Sequence, residues 1–220
     1  DMVDMLLPKQ SASARASVHH PAMPWRMVPQ FVQNVIHTGE DVTRHLLEFT
    51  ILMAARSGET RGMTWDEVDL STATWIVPAH RMKAKTVHRV PLSSRAVELL
   101  EKRRALARHP ELVFPSPRGA VLTDMALTKF LRTHKAVSDV PGRVATAHGF
   151  RSSFRDWASE NGVSRDLAER ALAHTIRNAV EAAYHRTDLL EQRRGVMEAW
   201  AAHVIGSAAG ENVVALPGRG

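Results

Sequence analysis

The spacing of apolar residues constrains the fold of this chain more than any other feature of its sequence. Between residues 40 and 55, apolar side chains recur at three- and four-residue intervals, which predicts an amphipathic helix. These side chains are Val42, Leu46, Phe49 and Met53. Similar spacings, punctuated by Pro and Gly, predict helices through most of the later sequence. The predicted helices cover residues 28–38, 40–55, 94–108, 123–135, 146–161, 164–173, 178–185 and 189–205.

Two short segments depart from the helical spacing. Residues 74–78, "TWIVP", and 88–93, "HRVPLS", are rich in β-branched and aromatic side chains, as strands are. Between them lies the basic stretch "AHRMKAKTV", so we predict an antiparallel pair whose connecting arm carries Arg81, Lys83 and Lys85. The sequence therefore predicts an α+β fold that is mainly α, with a small antiparallel β-sheet.

The two ends of the chain lack sustained periodicity. Residues 1–25 mix Ser, Ala, Pro and His without an apolar stripe, which predicts a linker or an extended arm. Residues 207–220 are predicted to form a flexible tail. We expect one domain between them, over residues 26–206.

Composition restricts the class of protein. No apolar run approaches the roughly 18 residues that suggest a membrane span, so no membrane association is expected. The absence of cysteine excludes disulfide frameworks and thiolate metal sites, and it fits a cytoplasmic protein. The net charge of +6 favours an anionic partner, most simply nucleic acid. Because the chain begins at Asp1 without Met, we expect it to be part of a longer protein.

Two groups of polar side chains could bind a phosphate. His148 and Arg151 are three residues apart at the start of a predicted helix, so they project from the same face. A guanidinium fork matches two phosphate oxygens, and an imidazole can donate to phosphate or accept a proton. Arg56 follows an apolar helix, where an unpaired buried charge is costly. Either Glu59 pairs with it, or Arg56 emerges at a cleft that binds an anion.

Tyr184 is the only tyrosine in the chain, and His174 precedes it in a break between predicted helices. A phenol, with a pKa of about 10, is a poor nucleophile unless a base or nearby positive charge favours the phenolate. Taken alone, a tyrosine on an amphipathic helix is more typical of core packing with its hydroxyl at the edge.

The order of these residues changes that interpretation. The motifs "RSGETRGMTWDEVDL", "RMKAKTVHRVPLS", "HGFR", "LAH" and "YHRTDLLEQRRGVMEAW" follow one another along nearly the whole chain. They resemble the active-site motifs of the tyrosine recombinases, the phage integrase family, and look most like integrases of satellite phages and genomic islands. The motif residues are Arg56, Lys83, His148, Arg151, His174 and Tyr184.

The resemblance implies a site-specific recombinase that cleaves and rejoins DNA through a covalent 3′-phosphotyrosyl intermediate, for integration or excision of a mobile element. It implies that Tyr184 attacks the phosphodiester. It implies further that Arg56 and Arg151 clamp the non-bridging oxygens, with His174 as a third donor. Neither a cofactor nor a metal ion is expected.

The resemblance also implies the two proton transfers of the reaction. Lys83 is expected to be the general acid, with Lys85 as its rival, because a register slip of two residues in a hairpin keeps the same face. His148 is expected to assist the phenol as a base or hydrogen-bond partner. Glu59 is expected to support Arg56.

The implied partner is double-stranded DNA at attachment sites, bound by a tetramer, whereas the isolated domain is expected to be a monomer. An excisionase or a host DNA-bending protein is a further implied partner. Integrases of this kind carry DNA-binding domains ahead of the catalytic domain, and no such domain is found in this sequence. Residues 1–25 would then be the interdomain linker and 26–206 the catalytic domain, which binds DNA weakly and in a salt-dependent way.

Four alternatives remain open. A type IB topoisomerase uses a similar residue set, and a metal-dependent nuclease could use the acidic residues 66–69. A non-catalytic DNA-binding module explains the charge but leaves the ordered motifs unexplained. A His-rich metal protein would use the twelve histidines, which lack a close ligand spacing such as HExxH.

Overall fold

The computed structural model describes residues 20–107, 109–174 and 187–206, in which helices predominate. The first is α1 (Val28–Phe31), which a π-helical turn continues over Val32–Ile36. The other α-helices in these ranges are α2 (Val42–Leu52), α3 (Ser57–Arg61), α4 (Ser94–Ala105), α5 (Asp124–Thr133), α6 (Gly149–Glu160), α7 (Arg165–Ala171) and α8 (Leu190–Val204).

Helix α2 runs through the centre of the fold. The Asp41 carboxylate caps its first turn by accepting hydrogen bonds from the backbone N–H groups of Thr43 and Arg44. Residues 45–52 are all buried, so neighbouring elements enclose the helix on every side and not only along its apolar stripe. The end of this central helix is therefore held rigidly, and Arg56 lies four residues after Leu52, the last residue of the helix.

The sheet has three antiparallel strands in the order β1 (Val68–Asp69), β2 (Thr74–Val77) and β3 (His88–Pro91). In the register of β2 and β3, Val77 pairs with His88, so residues 78–87 form a loop outside the ladder. Strands β2 and β3 were predicted, whereas β1 was not, because two residues are too few to show a period. The predicted α+β class, mainly α with a small antiparallel sheet, is confirmed.

Large aromatic side chains join α2 to the sheet and to α8. The rings of Phe49 and Trp75 meet edge to face at 5.6 Å. On the other side, the indole N–H of Trp200 donates to the carbonyl of Ile51 at 2.8 Å, and both residues are fully buried. Helix α8 is thus fixed to the central helix.

The ends of the predicted domain are only partly described. Residues 20–25 pack on the domain, since Ala22 and Met23 are buried and the N–H of Ala22 donates to Asp139. The end of the predicted linker, residues 1–25, is therefore part of the packed structure, while residues 1–19 and the predicted tail, 207–220, lie outside the described residues. The predicted helix over 178–185 also lies outside them. No helix in the described ranges is both long enough and apolar enough to cross a membrane.

Candidate active site

Arg56 is the N-cap residue of α3. Glu59 contacts it twice, because one carboxylate oxygen accepts from the Arg56 backbone N–H at 3.2 Å and the other accepts from Arg56 Nη1 at 2.9 Å. Arg56 Nη2 donates to the carbonyl of Ala173 at 3.4 Å. The side chain keeps 23% of its surface exposed. Glu59 therefore orients Arg56, and the guanidinium remains accessible to an anion.

Arg151, on α6, is buried and bonded to two backbone carbonyls. Its Nη1 donates to Ala54 at 2.7 Å and its Nη2 to Leu172 at 2.6 Å. Burial, followed by the nearby charge of Arg56, lowers the pKa of Arg151 to about 10. Arg151 is still protonated at neutral pH, and its two carbonyl partners are neutral, so they orient the charge without cancelling it.

The two arginines meet at one turn. Residues 172 and 173 follow α7, and their adjacent carbonyls accept from Arg151 and Arg56 respectively. Ala173 has a φ of 49°, which is uncommon for a residue with a Cβ. This turn brings the two predicted arginines together, although 95 positions separate them in sequence, and His174 comes next.

His174 is oriented by a carboxylate. Its Nδ1 lies 2.6 Å from Glu169 Oε2, and the other oxygen of Glu169 accepts from Arg155 Nε at 2.7 Å. Burial raises the pKa of Glu169, but hydrogen bonds from His174 and Arg155 outweigh it, so the pKa stays below its usual value. The ionised carboxylate holds a proton on Nδ1 and leaves Nε2 for a substrate.

His148 precedes the first residue of α6, three positions before Arg151, as predicted. Burial and the charges of Arg151, His20, Arg56 and His174 lower its pKa to about 4. The imidazole is therefore neutral near pH 7 and can accept a proton or a hydrogen bond.

Lys83 and Lys85 both lie exposed on the loop of residues 78–87. Lys85 adopts a φ of 56°, and its N–H donates to the carbonyl of Met82 at 3.1 Å. The contacts of the described residues do not bring either lysine to the two arginines. The role of Lys83, and its rivalry with Lys85, stays a prediction. Arg81, which was predicted on the same arm, pairs instead with Glu67 at the base of the loop.

Tyr184 lies outside the described residues, but Thr187 and Asp188, further along the chain, are held firmly. Arg170 Nη1 donates to the carbonyl of Thr187 at 2.6 Å. The guanidinium of Arg89 donates to both carboxylate oxygens of Asp188, each at 2.8 Å. A bidentate pair of this kind restricts orientation as well as position. The chain is therefore anchored to α7 and β3 three residues after Tyr184.

A buried arginine on α8 completes this anchor. Arg193 is 1% exposed, and its Nε donates to the carbonyl of Asp188 at 2.8 Å. His88, on β3, belongs to the same cluster, since burial and the charges of Arg193 and Arg56 lower its pKa to about 4. Sequence reasoning missed the roles of His88, Arg89 and Asp188. A signal for this cluster was available in the sequence. Arg193 is a charged residue on the apolar stripe of α8, one turn before Met197.

Among the described residues, no three His, Asp or Glu side chains are grouped as a metal site requires.

Comparison with known proteins places the chain in a family, because residues 26–190 match the phage integrase family.

The chain belongs to the phage integrase family.

Curated relatives agree with this assignment. The integrase of Enterobacteria phage P4 is 34% identical over 202 residues, which cover 83% of this chain and 45% of the relative. Prophage integrase IntA of Escherichia coli K12 is 36% identical over 165 residues, which cover 72% of this chain and 38% of the relative. This phage integrase family chain thus spans less than half the length of these two relatives.

Solved structures share the fold of this family member. The integrase from mycobacterium phage Brujita superposes with a TM-score of 0.60 at 20% identity, over 86% of this chain and 64% of that one. A lambda integrase dimer bound to a COC′ core site superposes with a TM-score of 0.57 at 20% identity, over 76% of this chain and 62% of that one. The predicted family is confirmed.

Proposed function

We propose that this chain is the catalytic part of a site-specific tyrosine recombinase, which cleaves and rejoins DNA to integrate or excise a mobile element. The observation that carries this proposal is the convergence of Arg56 and Arg151 on adjacent carbonyls beside His174. Two oriented guanidinium groups beside an imidazole suit the non-bridging oxygens of a phosphodiester. An oriented positive charge stabilises the additional negative charge of the transition state without reorganisation.

The proposed reaction begins at Tyr184. Its phenol oxygen attacks the phosphorus of the scissile phosphodiester, a tyrosyl O–P bond forms, and the bond from phosphorus to the 5′-oxygen breaks. His148 takes the phenol proton, and Lys83 gives a proton to the leaving 5′-oxygen, with Lys85 as the alternative donor. A 5′-hydroxyl of the partner duplex then attacks the phosphotyrosine and releases the tyrosine. One phosphoester replaces another at each step, so no nucleotide cofactor is consumed.

The electrostatics of the described residues support these roles. The lowered pKa of His148 keeps its imidazole neutral at physiological pH, as a proton acceptor must be. Glu169 holds His174 through Nδ1, which leaves Nε2 free to contact a phosphate oxygen. Arg151 donates to two carbonyl oxygens, which are neutral, so its positive charge is not cancelled and can attract an anion.

We propose double-stranded DNA at attachment sites as the partner, in the cytoplasm. The similar lambda integrase has been solved as a dimer on a core site and as a tetramer on a Holliday junction. By analogy we propose a tetramer of this protein on DNA and a monomer of the isolated chain. An excisionase and a host DNA-bending protein are further partners proposed from family resemblance alone.

A strand-exchange assay tests the proposal. Two duplexes that carry the core sequence of the element, one of them labelled, are incubated with the protein in buffer that contains EDTA. We expect recombinant duplexes, because the proposed chemistry uses arginines and not a metal ion. Cleavage that EDTA abolishes would support a nuclease instead. Relaxation of supercoiled plasmid without strand exchange would support a topoisomerase, and binding without any cleavage would support a DNA-binding module.

A further inference from the structure

A short N-terminal segment, residues 20–25, is docked across the start of α6, and we call it the docked arm. Backbone and side-chain hydrogen bonds hold it to the loop before α6 and to α6 itself. They join Ala22 N to Asp139 Oδ1 at 2.8 Å, Asp139 N to Ala22 O at 2.8 Å, Thr146 N to Pro21 O at 3.0 Å and Ser153 Oγ to Met23 O at 2.5 Å. The arm is therefore a fixed part of the site region.

Gly149 shows how close this contact is. A Cβ atom on Gly149 would lie 2.0 Å from the carbonyl oxygen of Pro21, closer than real atoms approach. The absence of a side chain at Gly149 lets the arm lie directly against the first turn of α6. His148 immediately precedes this glycine, so the arm passes beside a predicted catalytic residue.

The docked arm delivers a second histidine to His148. The imidazole rings of His20 and His148 are 4.5 Å apart between centroids and tilted by 55°. Both histidines are exposed, and the contact between their rings covers part of His148 from solvent. Within the described residues no hydrogen bond to the His148 imidazole is formed, which makes the ring contact the interaction that restricts its rotation.

We propose that His20 is a positioning residue of the active site: its ring packs on His148 and holds that imidazole in the orientation in which it serves Tyr184. This inference rests on the proposed function and adds a residue to it. It also connects the chain before α1 to the reaction, because movement of the docked arm would release His148.

The charges around His148 fit this role. The groups that face it are Arg151 on α6, Arg56 before α3, His174 after α7 and His20 on the docked arm. All four are cationic or can become so, and together with burial they favour the neutral imidazole. Loss of the His20 side chain would remove one of these charges, and its ring cover, from His148 and bring the pKa of His148 nearer the ordinary range.

Two substitutions and one matched control test the proposal with a nicked suicide duplex that carries the core sequence. His20→Ala removes the ring, whereas His20→Phe keeps a ring and removes the nitrogens. His203→Ala is the control, because His203 Nε2 contacts the carbonyl of Trp25, on the same arm but away from His148. The readouts are the single-turnover rate of adduct formation at saturating DNA, the Kd for the duplex and the thermal midpoint.

We expect His20→Ala to slow adduct formation by about tenfold to hundredfold with an unchanged Kd, as a misplaced catalytic group does. His20→Phe should recover most of the rate. His203→Ala should lower the thermal midpoint and leave the rate and the Kd unchanged. Wild-type rate in His20→Ala would overturn the proposal. So would equal slowing by His203→Ala, which would mean that arm docking matters and the His20 ring does not. Weaker DNA binding by both His20 variants would make His20 a phosphate contact instead.

A second measurement keeps this test separate from the proposed function. Imidazole NMR titration of the free protein, with His148→Gln for assignment, follows His148 without DNA. We expect its pKa to rise in His20→Ala and to stay low in His20→Phe; no change in His20→Ala would contradict the ring contact. Failure of the recombinase proposal would appear elsewhere, as equal adduct from wild type and Tyr184→Phe.

Discussion

At the residue scale, Arg151 is a buried charge that neutral partners orient, as its proposed role at a phosphate requires. Carbonyl groups of Ala54 and Leu172 orient it, while a carboxylate in their place would neutralise it. This arrangement costs desolvation, which is seen in the lowered pKa of Arg151. Removal of one donor to a developing charge typically slows a reaction by about a hundredfold to a thousandfold.

We therefore expect Arg151→Ala to lower the single-turnover rate of adduct formation by at least that factor. Arg151→Lys should be nearly as slow, because one ammonium group cannot span two carbonyls and a phosphate as the guanidinium does. Arg194→Ala is the matched control, since the partners of Arg194 are Glu191 and the carbonyl of Ala73, neither of which belongs to the proposed site. Circular dichroism should show that all three variants fold. A selective loss of DNA affinity, with an unchanged rate at saturation, would contradict the proposed role.

The histidines with lowered pKa values predict how stability depends on pH. His88 and His148 titrate near pH 4 when folded and near pH 6.5 when unfolded. The unfolded state thus binds more protons between these values, and the free energy of unfolding should fall as pH drops from about 6.5 towards 4. Urea denaturation between pH 5 and pH 7 measures this slope, above the range where carboxylates titrate.

His88→Gln should flatten the same slope, because it removes one of the titrating groups without removing His148. A variant that is as pH-dependent as wild type would show that folding does not lower the pKa of His88.

At the element scale, the contact of the docked arm with α6 makes a prediction about folding. Gly149→Ala places a methyl group against the Pro21 carbonyl, so either the arm or α6 must shift. We expect a loss of about 1–3 kcal/mol in the free energy of unfolding, the usual cost of overpacking. Urea denaturation measures it.

Gly195 provides the matched control for this substitution. It lies within α8, and a Cβ there would meet nothing within 4 Å. Gly195→Ala should stabilise the protein by about 0.5–1 kcal/mol, because alanine has the higher helix propensity. Equal effects of the two substitutions would show that the arm is not docked against Gly149.

Elements with a regular period were predictable from the sequence, and contacts between distant segments were not. The apolar stripe of α2 and the β-branched run of β2 each indicate their own structure. The docked arm has no such period, and its partners Asp139 and Thr146 lie more than 110 residues away.

The candidate site likewise has a part that the sequence predicts and a part that it does not. The order of the motifs predicted Arg56, Arg151, His148 and His174 as one site. The structure brings Arg56 and Arg151 to the turn after α7, where His174 follows, and it places His148 at the start of α6. Backbone acceptors such as the carbonyls of residues 54 and 172 carry no sequence signal, since every residue has one. The Arg89 and Asp188 pair joins β3 to the start of α8 and could not be read from local pattern.

At the scale of the whole molecule, the chain spans less than half the length of the two curated relatives described above. The chain itself carries a net charge of +6, and we expect its own contribution to be mainly electrostatic. The Kd for a duplex should therefore rise steeply between about 50 and 200 mM salt, and fluorescence anisotropy measures it. An affinity that salt does not change would contradict binding through phosphates.

The central claim is that Tyr184 becomes covalently joined to DNA. The direct measurement is mass spectrometry of the protein after incubation with a nicked suicide duplex in EDTA. We predict a tryptic peptide that carries a phosphonucleotide on Tyr184, formed by wild type and absent from Tyr184→Phe. An adduct on any other residue, or an equal yield of adduct from Tyr184→Phe, would contradict the account.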